Sequence, residues 1–267
     1  MVLNPSLFSS KDYVLYRFDY PDTLFAPLRS TIGPRLTEGP LRVLDLGCGT
    51  GLVTESFLRS APKNAEYHLV DVDPQMLSEA RERFAETAGV KSFLVAGAEK
   101  LPHSDRFFDL VLIGSAWHWM NPALAMQEIE RVLKPGGAVF IFEYQFPKSV
   151  SNAGLNDWIR IQFNTEWKPE TQVPRGSLKE LTQCWRDHSC FSQVNQASFF
   201  SSREHQAAEL AGVICSQSRY QHFEQRFSVD VQKTKRNELT EKLNQLLAGM
   251  PTQFSYFYEG YFFKKSL

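Results

Sequence analysis

The stretch VLDLGCGTGLVTESF, residues 43–57, decides the fold. Its apolar first half ends in three glycines, Gly47, Gly49 and Gly51, and a helix-compatible segment follows them. Glycine accepts a left-handed backbone and lets a ligand approach the main chain. The stretch therefore predicts a β-strand, a tight turn and a helix, with a ligand-binding position at the turn.

The alternation of strand and helix continues from residue 41 to residue 148. Short apolar runs predict strands at 41–46, 66–72, 91–97, 107–115 and 138–144. Helices are predicted after the glycines, from Pro74 to Gly89, and from Pro122 up to the breaker Lys134-Pro135-Gly136-Gly137. Continuous apolar strands joined by helices predict an α/β fold with a doubly wound, mostly parallel sheet.

Beyond residue 148 the pattern is less regular. Residues 158–176 are predicted as an irregular or helical insertion. Three helices are predicted after it, at 177–187, 203–216 and 231–248. Two strands are also predicted there, at 193–200 and, rich in aromatic residues, at 254–263. The sequence shows no internal repeat and no low-complexity linker. One domain with an elaborated second half is the simplest prediction.

Composition narrows the function classes. The 267 residues carry a formal net charge of −1, which gives no electrostatic reason to expect a nucleic-acid partner. The four cysteines form no C-x-x-C pair, so neither a disulfide framework nor a metal site is expected. The apolar stretches are too short to span a bilayer, and MVLNPSLFSSKDY lacks the pattern of a signal peptide. We expect a soluble, cytoplasmic protein without a membrane partner.

The glycine spacing argues against a dinucleotide. A dinucleotide fingerprint is G-x-G-x-x-G, but Leu52 occupies the place of its third glycine. Asp45 precedes the turn, where a carboxylate would repel a pyrophosphate and attract a cation. Asp71 ends the second strand, from which an acid reaches ribose hydroxyls. A phosphate-free adenosine with a cationic group, S-adenosylmethionine, fits this pattern, and a turn that binds nothing is the alternative.

The motifs VLDLGCGTG, VDVDPQML, GAEKLPHSDRFFDLVLIGSA and RVLKPGGAVFIFEY resemble the ordered motifs of class I S-adenosylmethionine-dependent methyltransferases. The resemblance covers roughly residues 8–148. It implies a seven-stranded sheet whose last strand, 254–263, is antiparallel. The HW of residues 118–119 and the YRFDYP of residues 16–21 resemble small-molecule enzymes of the trans-aconitate methyltransferase type. The implied segments are an N-terminal lid (1–39), a cofactor-binding core (40–148), a cap insertion (149–190) and a C-terminal part (191–267).

The resemblance also implies a cofactor site. Its residues would be Asp45, Gly47, Cys48, Gly49, Asp71, Val72, Met76, Ala98, Glu99 and Ser115. Asp71 would bind both ribose hydroxyls, Val72 or Met76 would pack on the adenine, and Ala98 and Glu99 would lie at the adenine edge. Many relatives carry an acid where this chain has Gly97, so adenine recognition is expected to rest more on backbone groups. Asp73 is expected to cap a helix.

The segment SAWHWMN, residues 115–121, supplies candidates for the acceptor side because it follows the fourth strand. Trp117 is a candidate substrate contact, and Trp119 is at least as well explained by packing. His118 is a candidate catalytic residue. A carboxylate acceptor needs no base, whereas a phenol, hydroxyl or amine would use a neutral imidazole to take its proton.

Further candidates lie elsewhere in the chain. Tyr16 and Arg17 are candidate catalytic residues and Tyr20 a candidate substrate contact, with an exposed arginine on a helix as the alternative for Arg17. Arg219, grouped with Ser216, Ser218 and Tyr220, is a candidate acid-binding residue by analogy with the same relatives.

The sequence therefore predicts methyl transfer from S-adenosylmethionine to a small molecule, first a carboxylate. N- or C-methylation of another metabolite and a non-catalytic protein with the cofactor fold stay open. A base methyltransferase is disfavoured because no N-P-P-Y follows the fourth strand, and a dehydrogenase is disfavoured by Leu52 and Asp45. Oligomeric state is left open.

Overall fold

The structure is a computed structural model, and it describes residues 15–33, 39–168 and 176–267. The chain divides into two compact units. Of the described residues, the larger unit contains 18–33, 39–144, 176–199 and 258–267, and the smaller unit contains 15–17, 145–168 and 200–257. The prediction of a single domain with four segments stays a prediction.

The helices are α1 (Ala26–Ile32), α2 (Leu52–Leu58), α3 (Pro74–Arg83), α4 (Pro122–Val132), α5 (Ala153–Asn164), α6 (Leu178–Leu181), α7 (Gln183–Asp187), α8 (Ala207–Cys215), α9 (Ser218–Glu224) and α10 (Val229–Leu246). The strands are β1 (Arg42–Leu46), β2 (Glu66–Asp71), β3 (Val90–Val95), β4 (Phe108–Gly114), β5 (Leu133–Tyr144), β6 (Lys148–Ser149), β7 (Phe191–His205) and β8 (Thr252–Lys265). Short 3-10 helices lie at Asp22–Leu24 and Trp117–Trp119. Within the described ranges, none of the helices is long and apolar enough to cross a lipid bilayer.

The larger unit is built on a mostly parallel sheet. Its strands follow the order β3-β2-β1-β4-β5-β8, and the first five pair in parallel. β8 runs antiparallel to β5, with Phe140 opposite Phe262 and their rings stacked 3.8 Å apart. The predicted α/β fold with a mostly parallel sheet and an antiparallel last strand is confirmed.

The central strands β1 and β4 are apolar because both of their faces are covered. Four of the five residues of β1 and six of the seven of β4 are buried. The sequence of such a strand is a continuous apolar run, without the alternation of apolar and polar residues seen in strands with one exposed face. Since parallel strands end at the same edge of a sheet, the turns after β1, β2 and β4 share one edge of the larger unit.

The smaller unit combines helices with the ends of two long strands. β6 pairs with residues 254–255 of β8. The Trp167 and Tyr220 rings pack edge to face at 5.1 Å, and Glu224 accepts two hydrogen bonds from Arg236. β7 pairs with β8.

Several predicted boundaries were wrong. All seven predicted strands are present, and the two-residue β6 adds a short pairing with β8. The helix predicted at 203–216 begins at Ala207, since β7 continues to His205. α9 was not predicted. The helix from Pro74 ends at Arg83, six residues before Gly89. The Lys134–Gly137 breaker lies inside β5, where the pairing with β4 shifts register.

Candidate functional site

The glycine turn, residues 47–51, connects β1 to α2. Gly47, Gly49 and Gly51 have φ of +70°, +54° and +85°, a region in which L side chains are strained. The Gly47 and Cys48 N–H groups donate to the Val70 carbonyl at 2.8 and 3.1 Å. The turn is therefore fixed to the end of β2, and the motif's glycines are needed for the backbone itself.

Asp71 fixes the turn from the other side. One carboxylate oxygen accepts from the Gly49 N–H at 2.7 Å, and the other accepts from the Asp73 N–H at 2.9 Å. Burial raises the pKa of this carboxyl, and the two backbone donors oppose that rise. A carboxylate oxygen has two lone pairs, so each can accept a second hydrogen bond from a ligand hydroxyl.

Asp45 is fully buried, with an exposed fraction of 0%. Its Oδ2 accepts from the Thr54 N–H at 3.1 Å and the Thr54 hydroxyl at 2.7 Å. Among the described residues, Oδ1 has no hydrogen-bond partner, and neither has the buried Thr50 hydroxyl. Burial raises the pKa of Asp45 to about 7, and the Thr54 hydrogen bonds lower it only in part. A buried carboxylate with an unused oxygen is a site that favours a cation.

Cys48 is buried inside the turn, and its side chain contacts the Gly49 carbonyl oxygen at 3.5 Å. Burial, with the charges of Asp45 and Asp71, raises the pKa of its thiol. The thiol therefore stays protonated, and the residue contributes packing and backbone to the turn rather than nucleophilic chemistry.

The residues after β2 and β3 form the neighbouring part of this edge. Val72 is 52% exposed, while Met76 and Ala98 are buried. Glu99 accepts the Asn121 N–H at 2.7 Å through Oε1. Asp73 accepts the N–H groups of residues 75 and 76 through Oδ1 at the start of α3, which confirms the predicted cap. Val72 thus offers an exposed apolar surface next to a carboxylate-rich turn.

The segment after β4, residues 115–120, contacts the glycine turn. A Cβ on Gly47 would lie 2.6 Å from the Ala116 Cβ and 3.3 Å from the Met120 Cε, so only glycine fits there. Ser115 has a φ of +52°, and its hydroxyl lies 3.1 Å from the Tyr20 hydroxyl. The structure therefore brings Gly47, Ser115 and Tyr20 into one neighbourhood of the larger unit.

Trp117 and His118 differ in their surroundings. Trp117 is only 2% exposed, its indole N–H donates to the Leu181 carbonyl at 2.8 Å, and its ring packs 5.3 Å from Trp185. This burial makes Trp117 a packing residue in the structure, contrary to the substrate-contact hypothesis. His118 is half-buried beside Trp119, which is 50% exposed. Of the two tryptophans, only Trp119 has a ring that is exposed at the surface.

Tyr16, Arg17 and Arg219 belong to the smaller unit. The Tyr16 ring packs directly on Gly212, where a Cβ would collide with it. Arg17 donates to the Ser216 carbonyl at 3.1 Å and to the Gln217 side chain at 3.3 Å. Arg219 donates to the Phe163 carbonyl at 3.2 Å, and burial lowers its pKa. The predicted residues are thus divided between the units, and the larger unit holds the cofactor candidates and His118.

Thr54 and Met120 are contacts of this site that the sequence did not predict. Thr54 binds Asp45 from the first turn of α2, and Met120 lies over Gly47. A hydroxyl residue nine positions after a buried acid could have indicated the first contact. No local pattern indicates the second, because it depends on how β1 and β4 pair.

The cysteines raise the question of a metal. Within the described part of the chain, one group, Glu130, His188 and Cys190, brings three possible ligand atoms within 4.8 Å of one another. The Cys190 N–H donates to His188 Nδ1 at 3.3 Å, and Nε2 faces the Glu130 carboxylate at 3.7 Å. An imidazole–carboxylate pair accounts for this arrangement, and the expectation of no metal site stays a prediction.

Comparison with known proteins identifies the region that carries this site. Residues 44–141 match the family model described as a methyltransferase domain. An uncharacterized methyltransferase of Mycobacterium bovis is 42% identical over 36% of this chain and 37% of its own length. A ubiquinone/menaquinone biosynthesis C-methyltransferase of Burkholderia orbicola is 36% identical over 43% of this chain and 47% of its own. The matches thus span less than half of these relatives.

The fold comparison extends further along the chain. A solved structure from Anaeromyxobacter dehalogenans, provisionally assigned as a type II methyltransferase, has a TM-score of 0.65 at 17% identity. It covers 92% of this chain and 97% of its own. Residues 44–141 are therefore similar in sequence to a methyltransferase domain, and the chain shares its fold with this solved structure. The finer resemblance to trans-aconitate enzymes is not confirmed.

Proposed function

We propose that this chain transfers a methyl group from S-adenosylmethionine to a small-molecule acceptor. The observation that carries the proposal is the pair of carboxylates, Asp45 and Asp71, on either side of the glycine turn in the methyltransferase domain. Asp45, directly before the turn, opposes a pyrophosphate, and Asp71 ends the strand from which an acid reaches ribose hydroxyls. They suit a ligand with ribose hydroxyls and a cationic amino-acid group.

The residues of the turn fit such a cofactor. Each oxygen of Asp71 keeps one lone pair for a ribose hydroxyl after its backbone hydrogen bond. Asp45 Oδ1, buried and without a partner among the described residues, suits the ammonium group. The exposed face of Val72 suits the adenine ring. When bound, the cofactor supplies a methyl group on a positively charged sulfur.

The chain's own task is then to position the acceptor and exclude water. Methyl transfer is an in-line displacement, and orientation of the nucleophile supplies much of the rate. His118 follows β4 at the same edge of the sheet as the glycine turn, and the hydroxyl of Ser115, directly after β4, lies 3.1 Å from the Tyr20 hydroxyl. We assign His118 to the acceptor side of the site and keep Ser115 as a candidate cofactor contact. Tyr20 is only 3% exposed, so its ring serves packing beside Ser115. Trp117 has no role on the acceptor side, because its indole is used in packing.

A carboxylate acceptor, giving O-methylation, is our first choice. An ionised carboxylate needs no base, so His118 would only bind or orient it. C-methylation is the second candidate, because a curated relative over residues of this domain is named as a C-methyltransferase. A carbon acceptor first has to lose a proton, and His118 would then act as the base. Arg17 and Arg219 of the smaller unit stay candidates for binding an acidic acceptor.

An S-adenosylhomocysteine release assay over matched panels of small acids, phenols and amines tests the proposal. We expect turnover with at least one acid. Thermal stabilisation by S-adenosylmethionine without turnover across the panels would favour a non-catalytic protein. Stabilisation by NADH in place of S-adenosylmethionine would overturn the cofactor assignment.

A further inference from the structure

Gly97 leaves an open position at the adenine edge of the proposed cofactor site. It follows β3, whose last residue, Val95, pairs with Asp71 of β2. The Ala96 N–H donates to the Asp71 carbonyl at 3.0 Å, which holds this loop against the ribose-binding residue. Glycine brings no side chain to the position, so any polar side chain that contacts the adenine edge has to come from another residue.

The Glu99 carboxylate occupies the space that a side chain at residue 97 would fill. A Cβ on Gly97 would lie 2.9 Å from Glu99 Oε2 and 3.9 Å from the Val72 Cγ1. The Glu99 side chain therefore folds back over Gly97, next to the exposed Val72. Glu99 Oε2 and the apolar surface of Val72 thus lie side by side. An aromatic ring with an amino group can pack on the apolar surface and donate its N–H to the oxygen.

The other Glu99 oxygen is anchored. Oε1 accepts the Asn121 N–H at 2.7 Å, at the N-cap of α4, where a carboxylate is favoured by the helix dipole. No donor among the described residues contacts Oε2. The anchor fixes the carboxylate so that Oε2 is the oxygen left to accept a hydrogen bond from a ligand.

We propose that Glu99 is the residue that selects adenine, accepting its 6-amino group through Oε2 in place of an acid at residue 97. This inference rests on the proposed function, because it assigns an atom to the cofactor's base. It replaces the expectation that backbone groups carry most of the adenine recognition. It also connects the adenine edge to the start of α4 through one side chain.

The anchor makes Glu99→Gln a sharp test. The Asn121 N–H requires an oxygen at the Oε1 position, so the glutamine NH2 takes the Oε2 position. The glutamine NH2 then faces the 6-amino group of adenine, so two hydrogen-bond donors oppose each other. The shape of the side chain at residue 99 is almost unchanged. We expect the variant to lose its preference for the 6-amino group while keeping its contact with α4.

Titration calorimetry with two ligands measures this preference. The ligands are S-adenosylhomocysteine and its analogue with hydrogen in place of the 6-amino group. Wild type should bind the analogue about 10- to 100-fold more weakly, the value of one hydrogen bond to a charged group. In Glu99→Gln the two affinities should lie within about threefold. Glu82→Gln, an exposed site on α3, is the matched control and should keep the wild-type ratio.

A rescue variant tests whether an acid at residue 97 can replace the carboxylate of Glu99 at the adenine edge. Gly97 does not have a positive φ, so an aspartate fits the backbone there, and its neighbour at 2.9 Å is the flexible end of Glu99. Glu99→Ala should lose the ligand preference, and the double variant Gly97→Asp/Glu99→Ala should recover at least about tenfold of it.

The outcomes separate this inference from the proposed function. Equal binding of both ligands by wild type, or a full preference in a folded Glu99→Gln, overturns the role of Glu99 but keeps the cofactor. No binding of S-adenosylhomocysteine by wild type overturns the proposed function itself. Near-ultraviolet circular dichroism of each variant verifies that it is folded.

Discussion

The glycine turn and the segment after β4 meet at Gly47 and Ala116, yet they are built in different ways. The glycine turn is held by the Val70 carbonyl and the Asp71 carboxylate, so its contacts come from the end of the neighbouring strand β2. The segment after β4 is held by distant parts of the chain, since Trp117 binds the Leu181 carbonyl and Ser115 contacts Tyr20.

The two regions therefore differ in how far the local sequence determines their geometry. Carboxylates on backbone N–H groups leave little freedom for the turn, so its ligand follows from the motif. Side chains packed against distant partners change whenever those partners change, so the acceptor does not follow from the segment after β4 alone. Four predictions test whether the two regions differ in this way.

The largest effect is expected from Trp117→Ala. The substitution leaves a cavity beside Trp185 and removes the donor of the Leu181 carbonyl, which should lower the free energy of unfolding by roughly 3–5 kcal/mol. Urea unfolding measures the loss. Trp119→Ala, at the half-exposed neighbour, is the control and should cost less than about 1 kcal/mol. Equal losses in the two variants would contradict the packing role of Trp117.

The next effect concerns the pH dependence of stability. Burial raises the pKa of Asp45 from its ordinary value of 3.8, which applies to the unfolded chain, to about 7 in the folded chain. Between these values the unfolded state has lost the proton and the folded state keeps it, so stability falls as pH rises and levels off above 7. Asp45→Asn removes this titration. Its stability relative to wild type should rise by about 3 kcal/mol from pH 5 to pH 8. Parallel unfolding curves for the two proteins would refute the assignment.

Asp71→Ala tests the glycine turn as a binding site. Removing the carboxylate should weaken S-adenosylmethionine binding by roughly 1.5–3 kcal/mol, the usual value for hydrogen bonds to a charged group. Titration calorimetry measures the affinity, and thermal unfolding without ligand shows how much the turn itself loses. Asp157→Ala, an exposed acid on α5, is the control and should bind as wild type does. An unchanged affinity in Asp71→Ala would reject the ribose role.

The smallest effect is expected from His118→Ala with a carboxylate acceptor. Loss of a positioning contact should lower kcat/KM by less than about tenfold, at every pH between 6 and 9. With a phenol, amine or carbon acceptor, the loss should be larger, and high pH should partly restore the rate. A large loss with a carboxylate that high pH restores would show that His118 is a base and that O-methylation of an acid is the wrong reaction.

Sequence reasoning predicted the two regions unequally. The strand, turn and helix around Gly47 follow from local rules, and so does the Asp73 cap. The burial of Trp117 depends on Leu181, 64 residues away, and no local pattern contains it. β7 extends to His205 because β8 pairs with it, so the polar stretch before Ala207 did not become a helix. The fold-back of Glu99 over Gly97 depends on Asn121 and is likewise non-local.

The same reason explains why the smaller unit was harder to predict. Arg17 and Arg219 bind main-chain carbonyls of the smaller unit, at Ser216 and Phe163. Such contacts follow from how helices pack and not from the spacing of residues in the sequence. Their use in binding an acceptor stays a prediction.

A crystal structure of the protein grown with S-adenosylhomocysteine tests the central claim most directly. We predict both ribose hydroxyls within hydrogen-bond distance of the Asp71 carboxylate, the amino group at Asp45 Oδ1 and the purine ring against Val72. Density for the compound away from the glycine turn, with Asp45 and Asp71 touching only protein, would contradict it.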